Sequence, residues 1–176
     1  MGTLIEQFEI IPAKGEEKTD EGLTPQALVQ TLAAQKAEEI ARLPQAEGKW
    51  VLGADTVVAL DGEVLGKPKD EADAKRMLFA LSDKTHEVYT GVCMIGAVNG
   101  ERVKLLSSAR TEVVFERLTA EKIDDYVKSG SPMDKAGAYG IQDGGLVKEI
   151  RGSYSNVVGL PLELCRELME RIKSME

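Results

Sequence analysis

Asp55 is the one charge in the otherwise apolar run WVLGADTVVAL. A lone carboxylate in such a strand costs several kcal/mol unless it is paired, hydrogen-bonded or bound to a metal. It therefore reads either as a catalytic or metal-binding acid, or as a structural acid paired with a lysine or set at a strand end facing solvent. Thr56 points to the opposite face if the strand is regular. Lys67 in LGKPKD follows a hairpin, with Pro68 directing the backbone after it, and is either functional or a solvated loop lysine. Lys36 lies in a long helical segment, where most lysines are merely solvated. In DKAGAYGIQDGG, the polar residues Asp134, Lys135, Tyr139 and Gln142 stand among glycines. That mixture suits recognition of a ligand by backbone and side chain, or else a structural turn. The Gln142 carboxamide can present both a donor and an acceptor to a base edge. His86, the sole histidine, has no cysteine or serine motif beside it. There is no GxGxxG, Walker A, CxxC or HExxH string, so dinucleotide, P-loop and zinc chemistry lack a motif.

These residues need elements to hold them. FEII, stopped by Pro12, reads as a short strand, and KGEEKTDEG as an acidic loop. Thr24-Pro25 opens a helix to Leu43, with Leu28, Leu32, Ala37 and Ile40 on one side and Pro44 as its stop. The Asp55 run is a buried strand, turned by Asp61-Gly62 into EVLG. Asp70 caps a helix through Leu81 whose inward side is Ala74, Met77, Leu78 and Leu81. HEVYTGVCMIGAV and ERVKLLSSARTEVVF are two long strands joined by Asn99-Gly100, a strong hairpin signal. Thr119 caps a helix bearing Ile123, Tyr126 and Val127 that ends at Gly130, and a last helix opens at Pro161. Residues 130–159 hold seven of the 17 glycines, which implies irregular backbone or close approach. Helices and strands mix without strict β-α-β alternation, so the fold class is α/β or α+β with a mixed sheet.

The chain has 176 residues, about 1.2 times the ~150 of a typical domain, so one domain or one with two lobes is expected. With 43% hydrophobic and 30% charged residues it can bury a core. Thirty acidic against 22 basic residues give a net charge of -8, which argues against bulk binding to nucleic acid or an anionic membrane. A few lysines and a metal ion in a cleft could still hold a small anion. The apolar runs fall short of the ~20 residues of a membrane span. MGTLIEQFEII shows no signal-peptide pattern, and Glu6 spoils the myristoylation match of Met1-Gly2. Cys93 and Cys165 read as buried reduced thiols. The expectation is a soluble, cytoplasmic protein.

From about Phe8 to Leu162 the sequence resembles the Maf family of nucleotide pyrophosphatases, also described as septum formation inhibitors. VLGADTVVALDGEVLGKPKDEADAKRMLFALSDKTHEVYTGV and YVKSGSPMDKAGAYGIQDGG with IRGSYSNVVGLPL carry the likeness. Asp55, Thr56 and Gln142 are similar to the branch acting on dTTP and UTP, with the 7-methyl-GTP branch as the alternative. The resemblance implies a two-lobed mixed α/β fold, like that of inosine triphosphate pyrophosphatases, with substrate in the cleft. It implies hydrolysis between the α- and β-phosphates to monophosphate and pyrophosphate, with a divalent cation, Mg²⁺ or Mn²⁺. Asp55 matches the family's proton acceptor, and Glu17, Lys36 and Lys67 match polar residues around the phosphates. Thr56 and Gln142 match specificity positions. A homodimer is implied too.

The family pattern also includes a preceding strand and an S-x-S-P-R-R loop that grips the phosphates, and no Ser-Pro-Arg-Arg string occurs here. Residues 1–176 are accordingly expected to form a single Maf-like domain, N-terminally truncated relative to the family, less stable and slower than a longer form. Two further classes stay open at this stage. One is a weakly active nucleotide-binding protein acting in division control. The other is an unrelated hydrolase using Glu17 and Asp55 as a carboxylate pair.

Overall fold

The structure, a computed structural model, describes residues 7–19 and 22–175. The readings made on Met1, Gly2 and Glu6 lie outside the described residues, as do Asp20 and Glu21 of the acidic loop. Strands β1 (Val51–Leu60), β2 (Glu63–Leu65), β3 (Thr85–Val98), β4 (Glu101–Phe115) and β5 (Val147–Arg151) form one sheet in the order β2-β1-β3-β4-β5. Every pairing among the described residues is antiparallel. The helices are α1 (Pro25–Ala41), α2 (Glu71–Leu81), α3 (Ala120–Lys128), α4 (Tyr154–Val158) and α5 (Leu162–Lys173).

The local signals act as their chemistry requires. Asn99-Gly100 and Asp61-Gly62 each place two successive residues at positive φ, the geometry of a two-residue turn that matches strand twist. Thr24, Asp70 and Thr119 each accept a backbone N–H of the first helical turn through the side chain. The inward side of α2 is Ala74, Met77, Leu78 and Leu81, as its spacing predicts.

The α/β class stands, but the sheet expected to be mixed is antiparallel in every described pairing, and two local expectations change as well. FEII is not a strand: Phe8 and Ile10 are 49% and 79% exposed, and none of the described strand pairings includes them. In α1 the buried line is Val29, Leu32, Ala33 and Ala37, whereas Leu28 and Ile40 are only partly covered. The displacement has a steric cause, because α1 lies directly on glycines of the sheet. A Cβ on Gly53 would stand 2.7 Å from the Ala37 amide nitrogen, and one on Gly91 would overlap the Val29 carbonyl. Small residues must therefore form the contact line, and the larger Leu28 and Ile40 are turned aside. Two elements carry weak sequence signals: the edge strand β5 and the single-turn helix α4.

Strand alternation divides the core. On one face α1 packs on Cys93 and Ile95. On the other, α5 covers Val92, Met94 and Leu105, while α2 and α3 cover Val58, Val88, Val113 and Phe115. Between those two apolar clusters runs a polar row. Thr56 Oγ1 lies 2.8 Å from Thr90 Oγ1, Thr90 donates to the Asn156 carbonyl, and the Asn156 amide donates to Thr111 Oγ1 and the Val88 carbonyl. Two cores thus sit on one sheet face, divided by hydrogen-bonded side chains.

Candidate active site

The closeness of α1 to β1 is what builds the site. Lys36 follows Ala33 by three residues, and Asp55 follows Gly53 by two on the same strand face. Once helix backbone rests on Gly53, the Lys36 ammonium reaches the Asp55 carboxylate, and the two are directly hydrogen-bonded. Glu17 meets the same ammonium at 3.1 Å from the other side. Its loop is fastened to α1: Glu39 accepts the Lys14 and Gly15 amides at 2.7 and 3.0 Å, and Gln35 accepts the Lys18 amide at 3.0 Å. Those two amides hold the Glu39 carboxyl below its ordinary range.

Asp55 is 13% exposed, Lys36 30% and Glu17 53%, so the triad grades from strand interior to solvent. Burial pushes the Asp55 carboxyl up, and the bond and charge of Lys36 only partly oppose it, with Glu17 adding a repulsion. For Lys36 burial pulls down, but Asp55 and Glu17 together outweigh it and raise the ammonium. The two directions agree physically, because the lysine gains two carboxylates while Asp55 gains one lysine and a like-charged neighbour. A carboxyl whose pKa is raised on folding binds its proton more tightly in the native state. That contribution to stability is present at low pH and lost as pH rises through the raised value. For activity that needs the carboxylate, the acid limb of the rate should stand above the ordinary carboxylate range. Lys36→Met should move the limb further upward. Pyrophosphate release measured from about pH 4 to 9 reads both, and a limb that moved down on losing Lys36 would contradict this electrostatic account.

Lys67 is exposed on the loop after β2, and its charge is felt at Asp55 and at Asp134. The Gly66 carbonyl on that loop accepts the Gly137 amide at 3.0 Å, which ties the Lys67 loop to the glycine-rich segment. A depression of about 760 Å³ along α1 is lined by Glu17 and Lys36, but also by further acids and bases of both signs, including Glu38, Arg42 and Lys104. Asp55 does not line it.

The other candidates stand apart from this triad. Thr56 is on the opposite face of β1, in the polar row, with the Gly159 carbonyl 3.5 Å from its hydroxyl. Gln142 is exposed on the single turn Ile141–Asp143. Tyr139 belongs to the core. Its hydroxyl lies 2.7 Å from His86 Nε2, and His86, Phe115 and Tyr139 meet edge to face. Burial lowers His86 to about 4, so it is neutral near pH 7 and offers no charge to a phosphate. Asn156, fully buried, escaped the sequence reading. Its signal is a polar amide before two valines, three residues after Ser153, which caps α4 by accepting the Asn156 amide. Among the described residues no three His, Cys, Asp or Glu side chains converge as a metal cage. Glu17 and Asp55 carry carboxylate oxygens, the donor type that suits Mg²⁺ or Mn²⁺, and both here face the Lys36 ammonium.

Fold and site thus describe an α/β protein in which a strand carboxylate, partly desolvated, shares a lysine with a loop glutamate. Comparison with known proteins gives the class a family. The Maf family, described as Maf-like protein, matches residues 1–172. A dTTP/UTP pyrophosphatase of Citrifermentans bemidjiense is 49% identical over 158 residues, covering 89% of this chain and 80% of that protein. Proteins of the same name from Agathobacter rectalis and Thermococcus gammatolerans are 47% and 46% identical. They cover 89% and 97% of this chain, and 82% and 88% of their own lengths. The chain belongs to the Maf family. Among the described residues no helix is long and apolar enough to cross a membrane.

Proposed function

We propose that this chain hydrolyses dTTP and UTP between the α- and β-phosphates, releasing the nucleoside monophosphate and pyrophosphate. The observation that carries the reading is the Asp55–Lys36–Glu17 cluster, together with the name borne by relatives at 46–49% identity. A triphosphate brings close to four negative charges, and attack by water adds charge to the phosphoryl oxygens. Lys36 and Lys67 supply cationic groups for that charge, and Asp55 takes the proton of the attacking water. The new bond joins the water oxygen to phosphorus, and the bond to the bridging oxygen breaks as pyrophosphate leaves. Glu17 and Asp55 would hold a divalent cation, which screens phosphate charge and acidifies bound water when present. Cytoplasmic location and assembly as a homodimer belong to the same reading.

Base selection is assigned, on the family resemblance, to Gln142 and Thr56, which stand apart from the Asp55 cluster, Thr56 on the opposite face of β1. One carboxamide can meet both a carbonyl and the ring N–H of uracil or thymine, and a wrong base would leave an amide group unpaired at ~1–3 kcal/mol. The kcat/KM for dTTP and UTP is therefore expected to exceed that for ATP and GTP by about tenfold or more. Pyrophosphate release from each nucleotide, with and without Mg²⁺ or Mn²⁺, measures it. Equal rates on all four, or a preference for 7-methyl-GTP, would contradict the assignment. No turnover of any nucleotide, with retained binding, would favour the division-control class instead.

A further inference from the structure

The turn that carries Gln142 is held by groups that do not themselves face the Asp55 cluster. Residues 130–143 run from the end of α3 through three tight turns, with positive φ at Gly130, Gly137 and Ala138. Each turn closes a short main-chain hydrogen bond of its own, Asp143 to Gly140 at 3.1 Å across the turn of Gln142, but no strand or long helix anchors the segment, so side chains fix where it sits. One hydroxyl reaches both flanks of Gln142. Tyr126 Oη, on α3, accepts the Gly140 amide at 3.0 Å and donates to Asp143 Oδ2. Gly140 precedes Gln142 by two residues and Asp143 follows it directly.

The same carboxylate oxygen of Asp143 accepts Ser131 Oγ at 2.7 Å. Lys135 closes the ring by donating to Ser131 Oγ at 3.1 Å and to its carbonyl oxygen. Its aliphatic stem lies against Gly140, where a Cβ would stand 2.8 Å from Lys135 Cε. Burial and the Asp143 bond push the Tyr126 phenol up to about 12, while Tyr126 and Ser131 hold the Asp143 carboxyl down. The hydroxyl is therefore neutral and the carboxylate charged across the working pH range, and the network keeps one hydrogen-bonding pattern. None of these groups is used by the chemistry described above.

We infer that Tyr126, through Asp143 and the Gly140 amide, is a positioning residue for nucleobase selection, fixing the turn on which Gln142 meets the base. The inference rests on the proposed role of Gln142. Removing the hydroxyl leaves the Gly140 amide without its acceptor and Asp143 without one donor, so the Ile141–Asp143 turn loosens while Asp55, Lys36 and Glu17 are untouched. Selection is then lost before turnover is.

The test compares Tyr126→Phe, Gln142→Ala and Asp143→Asn with the unaltered chain, by kcat and KM on dTTP and GTP and by thermal melting. Tyr126→Phe is expected to lower the dTTP-to-GTP ratio of kcat/KM about fivefold, toward the value of Gln142→Ala, with kcat on dTTP changed less than about twofold. Asp143→Asn keeps an acceptor for the Tyr126 hydroxyl and should retain more of the ratio than Tyr126→Phe does. If Gln142→Ala lowers the ratio and Tyr126→Phe does not, the inference is overturned while the role of Gln142 stands. If Gln142→Ala leaves the ratio unchanged, the role of Gln142 itself fails and takes the inference with it. A Tyr126→Phe chain that melts lower and slows equally on both nucleotides would make Tyr126 a stability residue only. Should that variant not fold, Ser131→Ala, which removes the other donor to Asp143, carries the same expectation and the same contradiction.

Discussion

Asp55→Asn is expected to release pyrophosphate from dTTP at about one hundredth of the normal rate or less, the usual scale for a lost general base. The amide keeps the volume of the carboxylate and can still accept a hydrogen bond from Lys36, so melting should change little. What it loses is the charge that takes a proton or binds a cation. It also leaves Glu17 as the one carboxylate paired with Lys36, making the local charge more positive, so nucleotide binding should persist. Steady-state kinetics with a melting curve and a binding titration separate these effects. A variant that retained most of its turnover would remove Asp55 from both roles.

The second large effect concerns backbone, not chemistry. Gly91→Ala places a methyl group into the Val29 carbonyl and 2.8 Å from the Gln30 amide. Neither partner is a flexible side chain, so the helix itself must move off the sheet. Overpacking of this kind costs ~1–3 kcal/mol and occasionally more, and here the upper end is expected because both partners are main chain. At ~2–4 °C per kcal/mol for a domain of this size, Tm should fall by about 6–12 °C. Activity should fall with it, because lifting α1 separates Lys36 from Asp55. Gly66→Ala is the control for stability: no atom lies within 4 Å of the added Cβ and φ is not positive there. Equal melting temperatures for the two variants would contradict the view that α1 is seated on bare backbone.

How much of this was legible beforehand varies with the range of the interaction. Helices α2 and α3, the hairpin at Asn99-Gly100 and the turn at Asp61-Gly62 are set by caps and φ preferences a few residues apart, and the sequence displays them. The burial of Asp55 was legible from its apolar neighbours, and so was the opposite orientation of Thr56, since alternation is a local rule. The lysine partner was open in the sequence because Lys36 and Asp55 belong to different elements. Only the seating of α1 on Gly53 and Gly91 brings them together. The same long-range dependence hid Asn156 and the Tyr126 hydroxyl, whose partners are 14 to 68 residues away. Tyr139 misled for a related reason. Its glycine-rich surroundings look like a binding loop, but the ring packs on Phe115 and His86, residues of the hairpin strands. FEII failed as a strand because apolar composition supplies a surface to bury and not a partner to pair with.

The measurement closest to the central claim is the identity of the products. The unaltered chain, incubated with dTTP and Mg²⁺ and followed by ³¹P NMR, should convert the triphosphate into dTMP and pyrophosphate, with no dTDP or orthophosphate accumulating. That outcome requires cleavage between the α- and β-phosphates. Appearance of dTDP with orthophosphate would place the cleavage at the terminal phosphate and contradict the account.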